Sequence, residues 1–292
     1  MRPSRVSALL SAVVLAAGLG APVASPAAAS PAAGPAAPMK RWAPVATATI
    51  TPGVQMYTDG AQCTGNFVFT DKRSRVYVGY AAHCAGLGES DDTDGCTTKS
   101  LPLRTPVRFA TGGNLVSDGS TLGAGRLAYS SWFTMQRLGT KDWETCAYND
   151  FALVRVRTRD ISKVNPTVPF WGGPTGLSKS GTSFGDRVFT WGHSGLRPGT
   201  ALSPRDGYSV GYDGNWSHEV YTLTPGVPGD SGSGFLDADG RAFGVLSTVQ
   251  IAPLAGANGV GDLRRELRFA RRHSGIRGLR LVRGTEPFSS AR

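Results

Sequence analysis

Ser231 lies in a short glycine-rich segment, residues 228–234, which reads Pro-Gly-Asp-Ser-Gly-Ser-Gly. A serine hydroxyl is a weak nucleophile until a neighbouring base removes its proton. The flanking glycines leave the hydroxyl uncrowded and allow backbone N–H groups to turn toward an incoming carbonyl oxygen. The segment therefore predicts a nucleophilic serine, on condition that the chain also supplies a base and an acid.

Two upstream segments supply these groups. His83 stands in the run Ala-Ala-His-Cys at positions 81–84, and Asp150 stands in Asn-Asp-Phe-Ala-Leu-Val at positions 149–154. A histidine can take the serine proton, and a carboxylate can hold the imidazole in the tautomer that this transfer needs. The three residue types follow one another along the chain in the order His, Asp, Ser.

In these three segments the chain resembles the chymotrypsin/trypsin family of serine endopeptidases, in its secreted bacterial form. Histidine followed by cysteine, an Asp-Phe-Ala-Leu-Val strand and a Gly-Asp-Ser-Gly loop are the strongest marks of that family, and the similarity covers roughly residues 51–274. The resemblance implies that His83 is the general base, that Asp150 orients it, and that Ser231 is the nucleophile that forms an acyl-enzyme intermediate.

The resemblance also implies roles for the residues around the nucleophile. The N–H groups of Gly229 and Ser231 would form the oxyanion hole, whereas Asp230 would pair with a cation, in the family often the amine freed on activation. The usual Ile-Val-Gly-Gly start is missing, and the corresponding residues 48–53 read Ala-Thr-Ile-Thr-Pro-Gly. This departure argues against activation by a freed N-terminus and leaves an arginine partner or no partner as alternatives for Asp230.

The resemblance further implies where substrate binds. Ser247, Thr248 and Val249 match the strand that pairs with the substrate backbone, and Ser247 would also support the catalytic aspartate. Pro225 stands at the position that forms the floor of the specificity pocket in relatives, where trypsins carry an aspartate. The absence of that aspartate favours a hydrophobic or small substrate side chain over lysine or arginine.

The N-terminal residues are typical of an export signal. Two arginines precede an apolar run over residues 8–20, and small residues that suit signal peptidase follow at 27–29. A membrane-spanning helix needs about 20 apolar residues, so this run is too short to be an anchor. We expect a signal peptide over residues 1–29, an Ala/Pro-rich disordered segment over residues 30–44, and a secreted, extracellular, monomeric protein without a membrane span.

Four cysteines in an exported chain predict two disulfides. Sequence alone permits three connectivities. The family resemblance favours Cys63–Cys84, beside the predicted base, and this leaves Cys96–Cys146. No Cys-x-x-Cys spacing occurs, so a zinc site is not expected, and no other feature indicates a metal or a cofactor.

An acidic stretch precedes Cys96 and contains Glu89, Asp91, Asp92 and Asp94. Calcium prefers clustered oxygen ligands, so a calcium site is one alternative. The spacing lacks the full helix-flanked pattern of a calcium loop. A hydrated acidic loop is therefore the favoured interpretation.

Positive charge concentrates at the C-terminal end of a chain whose net charge is +10. Residues 264–292 contain nine arginines against two acids, Glu266 and Glu286. Such a region can contact a polyanion. Only two aromatic residues, Phe269 and Phe288, lie among the arginines, fewer than a stacking surface for nucleic acid uses, so a solvated helix face and a loose basic tail over residues 275–292 are favoured.

Short apolar runs broken by Gly, Pro, Asp and Asn indicate an all-β chain. Residues 67–69 and 76–78 flank a turn and predict a hairpin. Residues 152–157 alternate with a period of two, as a strand with one buried face does. Asp262 is a suitable N-cap for a helix over residues 262–273, on which leucine and alanine recur on one face.

The family fold consists of two antiparallel six-stranded β-barrels with the active site in the cleft between them and a C-terminal helix. The resemblance places barrel one at about residues 45–156 and barrel two at about residues 169–260, within a chymotrypsin-like protease domain over residues 45–274. His83 and Asp150 would then come from the first barrel and Ser231 from the second.

These features predict a secreted serine endopeptidase that acts on polypeptide substrates and is not strictly trypsin-like. An α/β-hydrolase esterase is disfavoured, because that fold needs its nucleophile before the acid and the histidine. The alternative that stays open is a catalytically silent, protease-like binding module that docks through the basic C-terminal region.

Overall fold

The computed structural model describes residues 42–88, 93–197, 199–249 and 256–291. The predicted signal peptide and nearly all of the Ala/Pro-rich segment lie outside the described residues, and so do three residues of the acidic stretch, Glu89, Asp91 and Asp92. Within the described part of the chain, no helix is long and apolar enough to cross a membrane.

Eight antiparallel strands form the first sheet: β1 (Gln55–Thr58), β2 (Ala61–Thr64), β3 (Val68–Thr70), β4 (Val76–Tyr80), β5 (Pro106–Thr111), β6 (Ser120–Ser130), β7 (Ala152–Val156) and β14 (Arg280–Leu281). Their order in space is β14-β3-β4-β7-β6-β5-β1-β2. The predicted hairpin is confirmed as β3 and β4. The sheet has eight strands rather than the six predicted for barrel one, and one of them, β14, comes from the C-terminal end of the chain and adds to β3.

Six further strands close into a barrel: β8 (Arg187–Trp191), β9 (Pro204–Asp213), β10 (Ser217–Leu223), β11 (Gly234–Leu236), β12 (Ala242–Val249) and β13 (Asn258–Asp262). Their order around the barrel is β10-β13-β12-β11-β8-β9. The mainly β, chymotrypsin-like fold with a six-stranded second barrel is thus confirmed.

The predicted C-terminal helix is confirmed as α3 (Leu263–His273). Asp262 caps it, because its carboxylate accepts the N–H of Arg265 at 2.9 Å. Two shorter helices between β6 and β7 were not predicted: α1 (Ser131–Leu138) and α2 (Trp143–Tyr148). Ser130 and Asp142 cap them in the same way.

Strand β7 is buried on both faces except at Arg155, although its alternation predicted one buried face. Val154 belongs to the core of the first sheet. Leu153, on the opposite face, belongs to a second core that the sheet shares with α3 and with barrel residues such as Phe189 and Leu236. The second face of β7 is buried because helix α3 and the barrel pack against it, where solvent was expected.

The C-terminal segment after α3 is packed rather than loose. Arg280 and Leu281 pair with β3, and the ring of Phe288 lies 5.2 Å from that of Phe189. The N–H of Thr285 donates to Thr167 Oγ1 at 2.8 Å. The expectation of a loose tail is therefore corrected, since backbone pairing and apolar burial hold the described residues 275–291 against the body of the protein.

Candidate active site

His83 and Asp150 lie at the same edge of the first sheet because of the register of two neighbouring strands. Antiparallel pairing of β4 with β7 sets Tyr80 opposite Ala152. His83 follows β4 in a short 3-10 helix over Ala82–Ala85, and Asp150 precedes β7. Segments that leave an antiparallel pair at the same end remain neighbours, so two residues distant in sequence meet there.

The carboxylate of Asp150 binds His83 at two points. Nδ1 of the imidazole lies 2.6 Å from Oδ2, and the backbone N–H of His83 donates to Oδ1 at 2.8 Å. Asp150 is 2% exposed, whereas the side chain of His83 keeps 27% of its surface exposed. Because Nδ1 is bound to the carboxylate, Nε2 is the ring nitrogen left to exchange a proton.

Burial and charge act in opposite directions on the pKa values of this pair. Burial lowers the pKa of His83, but the charge and hydrogen bond of Asp150 raise that pKa above the ordinary value for histidine. Burial raises the pKa of Asp150, but the charge and hydrogen bonds of His83 and the hydroxyl of Ser247 hold that pKa below its ordinary value. Asp150 is therefore ionised at neutral pH, and His83 becomes neutral only above the usual pKa of histidine.

Two side chains from other elements hold Asp150 in place. The hydroxyl of Ser247, on β12, donates to Asp150 Oδ2 at 2.6 Å. Glu266 of α3 is fully buried and accepts the backbone N–H of Asp150 through Oε1 at 3.3 Å. Burial, and then the charges of Asp150 and Asp262, raise the pKa of Glu266 well above its ordinary value. The surroundings of Glu266 therefore favour its neutral form, beside the ionised carboxylate of Asp150.

A cleft of about 720 Å³ brings the predicted catalytic residues together, because His83, Asp150 and Ser231 all line it. Four further residues predicted to act on the substrate also line this cleft: Gly229, Ser247, Thr248 and Val249.

Pro225 is the one predicted site residue that the structure does not bring to the cleft. The residue is exposed, and its carbonyl accepts a hydrogen bond from Arg197 Nη2 at 2.7 Å. The next residue, Gly226, donates its N–H to the buried amide of Asn258 at 2.7 Å. The apolar lining of the cleft is supplied instead by residues such as Val227, Leu246 and Val249.

The backbone at Gly229 has a conformation that favours glycine. Its φ is +93°, and an added Cβ would lie 2.3 Å from Gln62 Oε1. Within the part of the chain that the structure describes, the N–H groups of Gly229 and Ser231 have no hydrogen-bond acceptor. Two free donors beside the predicted nucleophile can bind a carbonyl oxygen as it gains negative charge.

Asp230 is fully buried and lies between two arginines. Arg197 Nη2 and Arg205 Nη1 each lie 3.0 Å from Asp230 Oδ2. Arg205 is itself almost completely buried, and burial lowers its pKa. Of the two alternatives that the sequence left for Asp230, the structure contains the arginine partner, and it contains two.

The solved structures that resemble this chain include those of several bacterial proteases. No family model and no curated protein matches the sequence. Protease A of Thermobifida fusca aligns with 81% of this chain and 100% of its own, at a TM-score of 0.48 and 17% identity. A Nocardiopsis protease aligns over 80% and 98% (TM-score 0.45, 18% identity), and a Cellulomonas bogoriensis chymotrypsin over 80% and 98% (TM-score 0.43, 18% identity). These structures resemble the chain at low sequence identity.

Both disulfides predicted from the resemblance are confirmed. Cys63 bonds to Cys84, which ties β2 to the residue beside His83, and Cys96 bonds to Cys146. Two groups of possible metal ligands among the described residues contain these same cysteines. Sulfur atoms joined in disulfides cannot act as thiolate ligands, so neither group is a plausible zinc site.

The sequence did not indicate the residues that hold the nucleophile loop from outside. Thr64 donates its hydroxyl to the carbonyl of Gly229 at 2.7 Å and its N–H to the carbonyl of Ser231 at 2.8 Å. The other members of this set are Gln62, Ser194, Arg197 and Arg205. The one available signal was Asp230, because a buried carboxylate requires a cation.

Proposed function

We propose that the protein is a secreted serine endopeptidase in which Ser231 is the nucleophile, His83 the general base and Asp150 the acid that orients it. The contact of 2.6 Å between His83 and Asp150, at the wall of a cleft that Ser231 also lines, supports this proposal most directly. A buried carboxylate on Nδ1 leaves Nε2 to take the proton of a hydroxyl nucleophile.

In the proposed reaction, Oγ of Ser231 attacks the carbonyl carbon of a peptide bond while its proton moves to His83 Nε2. The carbonyl oxygen becomes an oxyanion and accepts hydrogen bonds from the N–H groups of Gly229 and Ser231. His83 then gives the proton to the leaving amine as the C–N bond breaks, which leaves an ester on Ser231. Water, deprotonated by His83, hydrolyses that ester and releases the acid product.

The cleft favours an apolar or small side chain in the substrate. Val227, Leu246 and Val249 contribute apolar lining. Asp150 is the one acid among the described residues of the lining, and His83 and Ser247 already bind it. Among the described residues of the lining, no carboxylate is thus left to pair with a substrate lysine or arginine, which supports a specificity that is not trypsin-like.

Export is part of the same proposal. The N-terminal residues 1–29 have the composition of a signal peptide, and the described cysteines are all in disulfides. Disulfides persist in oxidising compartments. Both observations support a secreted, extracellular protein.

Hydrolysis of unfolded casein tests the function. The protein without residues 1–29 is expected to release peptides, and prior treatment with a fluorophosphonate is expected to stop the release. Peptide mapping by mass spectrometry should then place the phosphonate on Ser231 and on no other serine.

Two outcomes would contradict the proposal. A protein that neither cleaves casein nor reacts with the fluorophosphonate would favour the silent binding module that docks through its basic C-terminal region. Cleavage that persists after complete labelling of Ser231 would show that another group performs the hydrolysis.

The pKa of His83 yields a prediction for the pH dependence. The general base must be neutral, so kcat/KM should rise with pH through one ionisation, with a midpoint above the value of about 6.5 usual for histidine because Asp150 raises this pKa. In Asp150→Asn the effect of burial remains without the opposing charge, so the His83 midpoint should fall below about 6.5.

Imidazole NMR titration of Ser231→Ala and of Ser231→Ala/Asp150→Asn measures both midpoints without any need for activity. Equal midpoints in the two variants would contradict the assignment of Asp150 as the partner of His83.

A further inference from the structure

The carbonyl groups of four consecutive residues, 228–231, each accept a hydrogen bond. Those of Gly229 and Ser231 accept from Thr64, and that of Asp230 accepts from Ser233. The carbonyl of Pro228 accepts from the hydroxyl of Ser194 at 2.5 Å. The nucleophile loop is therefore held through its carbonyl oxygens, on the side of each peptide opposite to its N–H.

This arrangement determines where the proposed oxyanion donors point. In a trans peptide the C=O and the following N–H point in opposite directions, and the Pro228–Gly229 bond is not among the cis peptides of the described chain. A hydroxyl bound to the carbonyl of Pro228 therefore fixes the direction of the Gly229 N–H. In the same way, Ser233 fixes the N–H of Ser231 by binding the carbonyl of Asp230.

We propose that Ser194 is a positioning residue of the oxyanion hole: its hydroxyl holds the Pro228–Gly229 peptide so that the Gly229 N–H faces the reacting carbonyl. This inference rests on the proposed function, since it concerns the same reaction. Ser194 lies in the loop after β8 and reaches the nucleophile segment from outside the cleft.

The hydroxyl of Ser194 has one proton to donate, and its neighbours determine which way that proton points. The N–H of Leu196 donates to Ser194 Oγ at 3.0 Å, which occupies a lone pair. The proton of the hydroxyl is then left for the carbonyl of Pro228. The backbone N–H of Ser194 donates to Asp230 Oδ1 at 3.1 Å, so the buried ion pair positions the residue itself.

The orientation of the Pro228–Gly229 peptide depends on a single hydrogen bond to its carbonyl, whereas the carbonyl groups of Gly229 and Asp230 each accept two. The carbonyl of Gly229 accepts from both Thr64 and Gln62, and that of Asp230 accepts from both the N–H and the hydroxyl of Ser233. The carbonyl of Pro228 has Ser194 as its one hydrogen-bond donor among the described residues. Glycine at position 229 also permits rotation that a Cβ would restrict.

Loss of the contact would allow this peptide to rotate and direct the carbonyl of Pro228, rather than the N–H of Gly229, at the forming oxyanion. Removal of one oxyanion donor typically lowers kcat by about 10²–10³-fold. A donor that is present but points correctly only part of the time should cost less, about 10–100-fold.

Ser194→Ala tests the inference by peptide hydrolysis. We expect kcat to fall by about 10–100-fold and KM to stay within about twofold, because the lost interaction is made in the transition state. Affinity for a peptide boronic acid, whose tetrahedral adduct on Ser231 places an oxygen in the oxyanion hole, should fall by a similar factor. Affinity for a peptide product should not change.

Matched variants separate positioning from folding. Ser194→Thr keeps the hydroxyl and should stay within about threefold of the wild-type kcat, whereas Ser194→Cys keeps the shape with a weak donor and should lose activity as Ser194→Ala does. Ser178→Ala removes another buried serine hydroxyl and should leave hydrolysis unchanged. If Ser194→Ala does not fold, the Cys and Thr variants provide the same comparison.

The inference is overturned if folded Ser194→Ala and Ser194→Cys keep wild-type kcat and boronic acid affinity. It is also overturned if KM rises and product affinity falls by as large a factor as kcat falls. Failure of the proposed function looks different, because the wild type would then be inactive, or Ser231→Ala would hydrolyse peptides as well as the wild type. An active wild type, an inactive Ser231→Ala and an unaffected Ser194→Ala would thus refute the positioning role alone.

Discussion

Replacement of Ser231 by alanine is expected to lower kcat for peptide hydrolysis on the order of 10⁶-fold, and His83→Ala should cost about as much. In the proposed reaction the two side chains act in one step, in which the oxygen of Ser231 attacks as its proton moves to Nε2 of His83. Once either is absent, the other has no partner. The double variant should therefore be no slower than either single variant.

Rates on a chromogenic peptide and fluorophosphonate labelling check this expectation. His273→Ala is the matched control, because its ring contacts Phe269 on α3 and lies in a different part of the chain from the proposed catalytic residues. It should retain the wild-type rate. Multiplicative losses in the Ser231→Ala/His83→Ala variant, or normal labelling of Ser231→Ala, would contradict a shared proton transfer.

Arg205→Met is expected to destabilise the folded protein by about 3–5 kcal/mol, the range for the loss of one partner of a buried ion pair. Asp230 is fully buried and would keep Arg197 as its remaining counter-charge, and Arg197 is itself 9% exposed. The expected loss is large because Asp230 would stay buried with one counter-charge instead of two. It does not measure the strength of a single hydrogen bond. Urea unfolding monitored by tryptophan fluorescence measures it.

The same β8–β9 ribbon offers a matched control. Arg187 Nη2 lies 2.7 Å from Asp206 Oδ2, at nearly the same distance as the buried pair, but the two side chains are 43% and 47% exposed. Arg187→Met should change the free energy of unfolding by about 0–1 kcal/mol, because water screens this pair. Equal losses of unfolding free energy in Arg187→Met and Arg205→Met would show that the burial of the Arg205–Asp230 pair does not make its loss more costly.

Folded Arg205→Met should also lose activity, since Asp230 receives the N–H of Ser194 and lies next to Ser231 in the chain. Asp230→Asn/Arg205→Met leaves Arg197 nearly buried without a counter-charge, so this variant should be less stable than Arg205→Met. This pattern would distinguish an uncompensated charge from a cavity left by the arginine side chain.

The features that could be predicted from the sequence are those whose cause is local. Asp262 was predicted to cap α3 because a carboxylate can reach the N–H three residues ahead, and the structure contains that contact. Turn residues between apolar runs predicted the β3–β4 hairpin. The helices α1 and α2 have similar caps but are short, so their pattern was too weak to separate them from a loop.

The contacts that hold the site together could not be predicted, because they join residues that no local pattern relates. Ser194 and Arg205 have no sequence feature that marks them as partners of Pro228 and Asp230. Packing of the C-terminal segment on β3 was missed for the same reason, since an arginine-rich segment favours solvent until a sheet edge is available to it.

By itself, the sequence determined which chemical groups are present and in what order: a hydroxyl among glycines, a histidine beside a cysteine, and an aspartate before a strand. The tertiary structure alone decided that His83 and Asp150 meet at 2.6 Å, that two arginines surround Asp230, and that Pro225 lies outside the cleft. The physical reason is that local propensity acts over a few residues. Strand register and the neutralisation of buried charge instead depend on segments that approach one another only when the chain is folded.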